Sequence, residues 1–330
     1  MSRQAVERIV DATLDATVRS CRRPATGAIA ETYLIELEGG GGTASRVRMD
    51  DADFPERAVC KLGGVNVWTG DVIEPAVLEV VGRETELPVP NVLATGRLEG
   101  GADELPDRWA LYEHCVGTNP GPSYPNLESE VRRRLVADAG SLLGRLHAAT
   151  PAEFDRVGGL ARCDGRFQGG RDWRRRLRVC EPVGWHALDP GPLLEMLPVT
   201  FTGDDGCRPV LTHGDYQPGN LLVDRSGAVT TVLDWGNAHV THAEYALARA
   251  EIRFIDVYAR RLSSAHRWEL RRAFRAGYAR HAMLKSGFEE RKRTYTALWL
   301  LQSAANYATI ASDERGRRQL RRQCRNALER

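Results

Sequence analysis

The chain has 330 residues, 46 of them Lys or Arg and 44 Asp or Glu, for a formal net charge of +2. That near-neutral balance argues against a general binder of nucleic acid or other polyanions, and the length suggests two domains or lobes with ample core. The seven cysteines are odd in number and show no C-x-x-C or Cys/His ligand spacing, which points away from a disulfide framework or zinc site and toward reduced thiols in a cytoplasmic protein.

Residues 4–19 place Val6, Ile9, Val10, Ala12, Leu14 and Val18 among charges at roughly helical spacing, so a first amphipathic helix is expected, ended by Cys21-Arg22-Arg23-Pro24. Glu7 and Asp11 interrupt its apolar pattern, so it lacks the apolar run of a signal peptide. Tyr33 to Leu37 reads as a strand, preceded by a turn at Thr26-Gly27-Ala28 and followed by the flexible run Gly39 to Gly42. Arg57 to Leu62 reads as a second strand with Lys61 inside it. The chain otherwise uses arginine, its only other lysines being Lys285 and Lys292. An ammonium is a compact point charge that can approach phosphate oxygens.

Glu74 to Val81 looks helical, and Pro75 suits the first helical position, which would put Glu74 at the cap and Glu79 one turn inside. Leu87 to Leu93 is extended and punctuated by proline. Trp109 to Gly117 has the shape of an apolar strand running into a connector that ends in glycine. Asn126 can cap a long helix through about His147, with Val131, Leu135, Val136, Ala139, Leu142, Leu143 and Leu146 as its buried stripe; His147 reads as structural. Residues 156–180 join a glycine-rich loop to an arginine-rich helix, whose basic run reads as a solvated face. After residue 240 the chain is helical, with helices expected over Trp268 to Ala282 and Arg291 to Ile310 and in an arginine-rich terminal segment. The uncharged stretch 294–312 approaches membrane length, but Gln302, Ser303, Asn306 and Thr309 interrupt it, so a buried helix is expected and no membrane span.

The most informative stretch is 211–236, LTHGDYQPGNLLVDRSGAVTTVLDWG. His213, Asp215 and Asn220 stand at the spacing H-x-D-x-x-x-x-N, and Asp234-Trp235-Gly236 follows. Two apolar runs, 221–223 and 229–233, flank the turn cluster Asp224-Arg225-Ser226-Gly227 and predict a hairpin. Such a hairpin brings Asn220 and Asp234 to one end, where two oxygen ligands suit Mg2+, an ion that takes few protein oxygens and keeps several waters. Asp215, on the loop entering the hairpin, can face a nucleophile beside the metal.

The spacing is that of the protein-kinase catalytic loop and metal-binding triplet. In the form His-Gly-Asp-Tyr-Gln-Pro-Gly-Asn then Asp-Trp-Gly, the segment resembles the aminoglycoside phosphotransferase and choline kinase-like family of the protein kinase-like superfamily. The phrase Leu143-Gly144-Arg145-Leu146-His147 is similar to the family's as well. The resemblance covers about residues 25–310. It implies an α+β, protein kinase-like two-lobed fold: a β-sheet nucleotide-binding lobe over 1–113 and a mostly helical catalytic and acceptor-binding lobe over 114–330.

By the same resemblance, ATP or GTP and Mg2+ are the cofactors. Lys61 meets the phosphates, and alignment makes Glu74 its partner while capping logic favours Glu79. The turn at Gly27 lies over the nucleotide, and the Glu113 carbonyl and Cys115 amide contact the base. Asp215 orients and deprotonates an acceptor hydroxyl, His213 fixes the loop, and Asn220 and Asp234 hold the metal. The acceptor is a small molecule, an aminoglycoside first, with choline, fructosamine, a sugar or an amino alcohol as alternatives. Glu244, Glu251 and Asp256 could favour a cationic amine, and Tyr245 or Trp299 could stack on one. The chain departs from the family at His242, Ala243 and Ala246, where an Asp-Pro pair and a further Asp are usual. The rival readings are a catalytically inactive nucleotide-binding scaffold, which would be expected to lose Lys61, Asp215, Asn220 or Asp234, and a protein kinase, which would be expected to carry an Ala-Pro-Glu segment.

Overall fold

The computed structural model describes residues 2–24, 30–39, 55–64, 66, 69–97, 108–150, 154, 157–162, 177–180 and 209–305. Helix α1 (Ser2–Leu14) is followed by strands β1 (Thr17–Arg22), β2 (Ala30–Glu38) and β3 (Arg57–Gly63), helix α2 (Glu74–Glu84), and strands β4 (Val92–Arg97) and β5 (Arg108–Glu113). The strands form one antiparallel sheet in the order β1-β2-β3-β5-β4. Its two faces follow the period of two along a strand. Cys60, Leu62 and Leu111 pack with Val6, Ile9, Val10 and Leu14 of α1, whereas Ala110 and Tyr112 face α2 and a core continuous with the rest of the molecule.

The first helix is shorter than its apolar spacing suggests. It stops at Leu14, Asp15 takes a left-handed φ of 52°, and Thr17–Arg22 pairs with β2. Val18 fits either periodicity. Asp tolerates the left-handed turn, and the edge of the sheet then takes Thr17 and Val18 as strand residues.

The helical lobe is built on α3 (Ser129–Ala149), α4 (Ala243–Phe254), α5 (Ser264–Tyr278) and α6 (Phe288–Ala305). Asn126 does not cap α3: it ends a 3-10 turn, Tyr124–Asn126, and the helix starts three residues later. Helices α3 and α5 cross backbone to backbone. A Cβ on Gly140 would lie 2.0 Å from the Phe274 carbonyl oxygen, one on Gly144 2.5 Å from that of Tyr278, and one on Gly277 2.0 Å from that of Ala137. Strands β6 (Gly158–Arg162), β7 (Leu177–Cys180), β8 (Pro209–Thr212) and β11 (His239–His242) make a second antiparallel sheet, ordered β7-β6-β11-β8. Leu177–Cys180, expected within an arginine-rich helix, is a strand paired with β6; Leu177 and Val179 alternate with Arg178 at the period of a strand. Strands β9 (Leu221–Val223) and β10 (Val229–Val232) form the expected hairpin.

Among the described residues, no helix is long and apolar enough to cross a membrane.

Candidate active site

Lys61 is delivered by the strand that carries it. Cys60 and Leu62 point into the apolar layer under α1, so the side chain between them emerges on the opposite face, toward α2. There its Nζ lies 2.8 Å from both carboxylate oxygens of Glu74, the first residue of α2. Glu79 is exposed on the other side of that helix, so the choice between the two glutamates falls to Glu74. The capping argument fails because the helix starts one residue before Pro75, and Ile73 takes the cap position without a side-chain bond. Tyr112 donates its hydroxyl to Glu74 at 3.3 Å, and the Trp235 backbone N–H donates at 3.1 Å. One buried carboxylate thus ties β3, β5 and the Asp234-Trp235-Gly236 turn together.

The same ammonium reaches 3.2 Å to Asp234 Oδ1. Burial alone would lower the lysine's pKa, but Glu74 and Asp234 override it and hold Lys61 charged well above its ordinary range. Burial pushes the Asp234 carboxyl up; the Lys61 ammonium overrides that and keeps it below the usual carboxylate range. Asp234 sits at φ 63°, a left-handed conformation costing about 1–3 kcal/mol that aspartate bears better than most residues. Asn66, buried three residues after the end of β3, donates to the Gly236 and Ala238 carbonyls at 2.8 and 3.0 Å and so fixes the backbone just after that strained residue.

The catalytic-loop segment is held from three sides. His213, fully enclosed between Tyr216 and Trp235, donates from Nε2 to the Leu233 carbonyl at 2.7 Å, while its Nδ1 accepts the Asp215 N–H at 3.2 Å. Those partners set the tautomer, and burial lowers the ring's pKa. A ring with both nitrogens engaged on backbone positions a loop; it has no free nitrogen for an acceptor. Gly214 is required at φ 82°, since a Cβ there would fall 1.7 Å from the Asn237 carbonyl oxygen. The Pro218–Asn220 turn is bound to the segment after β5: Asn119 donates to the Gly219 carbonyl at 2.6 Å, and Thr118 and Val223 exchange N–H···O bonds of 2.9 and 3.0 Å.

The Asp215 carboxylate takes Gln217 Nε2 at 2.7 Å and Asn220 Nδ2 at 3.1 Å on Oδ2; its Oδ1 takes Arg253 Nη2 at 2.8 Å. Asn220 also donates to the Asp215 backbone carbonyl at 2.8 Å, which turns its own Oδ1 away from the loop. That oxygen and Asp234 Oδ2 have no hydrogen-bond donor among the described residues. Two hard oxygens, one carrying charge, fit a divalent cation that completes its shell with water and phosphate. The hairpin brings them to one end, since the Leu233 N–H donates to the Asn220 carbonyl at 2.8 Å.

Glu113 ends β5, and its side chain accepts from Asn91 at 2.8 Å; the Cys115 amide that follows has no acceptor among the described residues. Gly27 lies outside the described residues. Arg253 and Asn66 carry no sequence signal that would single them out: arginine is the commonest base in the chain, and both partners lie far along it.

The carboxylates read as attractors for a cationic acceptor are already paired. Glu244 takes Arg291 in a buried fork at 2.6 and 2.7 Å. Glu251, fully buried, takes Arg271, Arg275 and Lys292, and Asp256 takes Arg271 at 2.7 Å. An open cavity of about 480 Å³ between α5 and α6, lined by Trp268, Arg271, Arg272, Lys292 and Arg293, lies on the Glu251 side of α4, away from Asp215.

A sequence model described as a phosphotransferase enzyme family matches residues 74–293, two thirds of the chain. No curated protein sequence matches. Among solved structures the chain is similar to an amicoumacin kinase in complex with AMP-PNP, Ca2+ and Ami, with TM-score 0.67 and 12% identity over 100% of this chain and 94% of that one. It is also similar to a microcompartment-associated aminopropanol kinase, with TM-score 0.62 and 15% identity over 99% and 95%. A thermostable mutant of an aminoglycoside phosphotransferase, in a ternary complex with AMP-PNP and hygromycin B, gives TM-score 0.61 and 15% identity over 98% of each chain. At such identities the structures speak to the kinase-like fold, and the family match speaks to descent: the chain belongs to the phosphotransferase enzyme family.

Proposed function

We propose that the chain transfers the γ-phosphoryl group of ATP, or GTP, to a hydroxyl of a small molecule of the amino-alcohol or sugar kind, with Mg2+. The observation that carries this reading is the meeting of Lys61, Glu74 and Asp234 beside the loop on which Asp215 and Asn220 are bonded to each other. The nearness in fold to kinases solved with AMP-PNP supports it.

Asp215 takes the proton of the acceptor hydroxyl as its oxygen bonds to the γ-phosphorus; the bond from that phosphorus to the bridging oxygen breaks, and ADP leaves with the electron pair. Base assistance of this kind contributes typically about 10²–10⁴-fold. Asn220 and Asp234 would hold magnesium, which supplies charge to offset the phosphate oxygens. Lys61, fixed by Glu74, adds a further positive charge beside them. The work is chiefly positioning and electrostatics, so the rigidity of the His213 and Asn66 contacts matters to rate.

The test is ADP release from ATP with and without Mg2+, over aminoglycosides, amino alcohols, sugars and fructosamines, with Asp215→Ala as control. Acceptor-stimulated turnover that disappears in the variant supports the reading. Mg2+-dependent nucleotide binding with turnover equal in the wild type and Asp215→Ala would overturn it.

A further inference from the structure

Among the described residues, the charge around Asp215 has the wrong sign for a cationic acceptor. Arg249 and Arg253 stand one turn apart on α4 and approach the loop from the same face. Arg253 is ion-paired to Asp215 alone among the described carboxylates. Arg249 has no ion pair among the described residues; its Nε and Nη1 are shielded from solvent without a hydrogen-bond partner, as is the Nε of Arg253. The cavity beside Arg249, lined by Thr212, His213, Tyr245 and Ala246, is about 10 Å³, the size of one water. No organic ion fits there, so Arg249 acts as a fixed positive charge behind the loop. Two guanidiniums against one carboxylate leave an excess positive charge where the acceptor must sit. Glu244, Glu251 and Asp256 are consumed by their own arginines and lysine.

Geometry adds a second constraint. Asp215 Oδ2 is held by Gln217 and Asn220, two groups on its own loop, so Oδ1 is the oxygen placed to take a proton. Its present partner is Arg253, from a different element, with both side chains about a quarter exposed, 28% and 26%. A planar guanidinium prefers two parallel bonds to one carboxylate over a single bond.

Resting on the phosphotransferase reading above, we propose that the acceptor carries a carboxylate near the hydroxyl that is phosphorylated, as in a sugar acid or a hydroxy amino acid. Arg253 passes from Asp215 to that carboxylate as the acceptor binds. The exchange replaces one ion pair by another and frees Asp215 Oδ1 for the hydroxyl proton. Arg249 keeps the neighbourhood positive throughout and so favours an anionic guest over a cationic one.

The test uses matched pairs differing in the carboxylate: L-serine with ethanolamine, L-homoserine with 3-aminopropan-1-ol, and D-gluconate with D-glucose, plus kanamycin as a polycation. ADP release is followed with Mg-ATP. The proposal expects at least one acid to stimulate turnover about tenfold or more above its partner. It also expects Arg253→Gln to raise the KM for that acid about tenfold or more with a smaller fall in kcat, and Arg253→Lys to recover part of the loss. Equal or better turnover with the partners lacking a carboxylate, or with kanamycin, overturns the anionic acceptor while leaving the phosphotransferase standing. If no compound stimulates release, calorimetric titration of the acids into protein loaded with Mg-AMP-PNP decides. Binding that Arg253→Gln abolishes supports the proposal, and absence of such binding overturns it. Failure to bind Mg-AMP-PNP at all removes the phosphotransferase reading and this inference with it.

Discussion

Lys61 Nζ and the Glu74 carboxylate meet at 2.8 Å across two elements of the small lobe, and the N–H of Trp235 from the other lobe donates to that same carboxylate. The state of the lysine and the position of Asp234 are therefore coupled through one glutamate. Glu74→Gln keeps the shape but removes the charge that holds Lys61. We expect kcat/KM for the nucleotide to fall about tenfold to a hundredfold, roughly 1.4–2.7 kcal/mol of transition-state stabilisation. Asp234→Asn should cost at least as much as Asp215→Asn, on the order of 10²–10⁴-fold each. Steady-state kinetics on the three variants, with acceptor and Mg2+ saturating, checks the order.

The buried fork between Arg291 and Glu244 joins α6 to the first turn of α4. Glu244→Ala leaves a guanidinium only 8% exposed without its carboxylate, the Ser286 carbonyl being a neutral acceptor. Breaking such a pair from one side costs about 3–5 kcal/mol. Urea unfolding should show that loss as a lower midpoint at unchanged slope.

Two histidines make acid stability specific. Burial holds both the His147 and His239 rings down to a pKa of about 3, with Arg249 adding to the effect at His239. Both are neutral in the fold, while an unfolded chain protonates them near the ordinary value of about 6.5. The stabilisation is complete above pH 6.5 and lost as pH falls from there toward 3, at about 1.4 kcal/mol per pH unit for each ring. His147→Gln should flatten the slope of unfolding free energy between pH 6 and 4 by about that amount. An unchanged slope would show that His147 is charged in the fold.

Gly277→Ala drives a methyl group to within 2.0 Å of the Ala137 carbonyl oxygen, and neither helix backbone can move away without opening the crossing. Overpacking of this kind costs about 1–3 kcal/mol, with the upper end expected here. Thermal unfolding checks it. Gly214→Ala puts a Cβ 1.7 Å from the Asn237 carbonyl oxygen at a positive φ beside Asp215, so stability should fall at least as far and activity should fall with it.

The charged residues of the cleft were legible because chemistry restricts their type and a short hairpin fixes their separation. Asn220 and Asp234 are fourteen residues apart, yet the turn at Asp224 to Gly227 leaves little freedom in where they meet. Lys61 stood out against a background of arginine. Glu74 could not be settled against Glu79 from sequence because the decision rests on where α2 begins, a matter of one residue. Arg253 was invisible for the opposite reason. It pairs with Asp215 across 38 positions, and one more arginine in a chain that uses arginine almost throughout gives no local sign of its partner. The strand at Thr17–Arg22 was hidden because Leu14 and Val18 satisfy a helical period, and only the sheet edge beside them selects the extended form.

The crossing of α3 and α5 has a mechanical consequence. Where Gly140, Gly144 and Gly277 meet carbonyls directly, no layer of side chains lies between the helices that could change rotamers and let one slide past the other. A contact of that kind behaves as a weld, and the large lobe moves as a block. On the phosphotransferase reading, any movement of the small sheet and α2 against that block would have to be taken up by the segment from His114 to Ser123, which the paired bonds between Thr118 and Val223 pin to the hairpin.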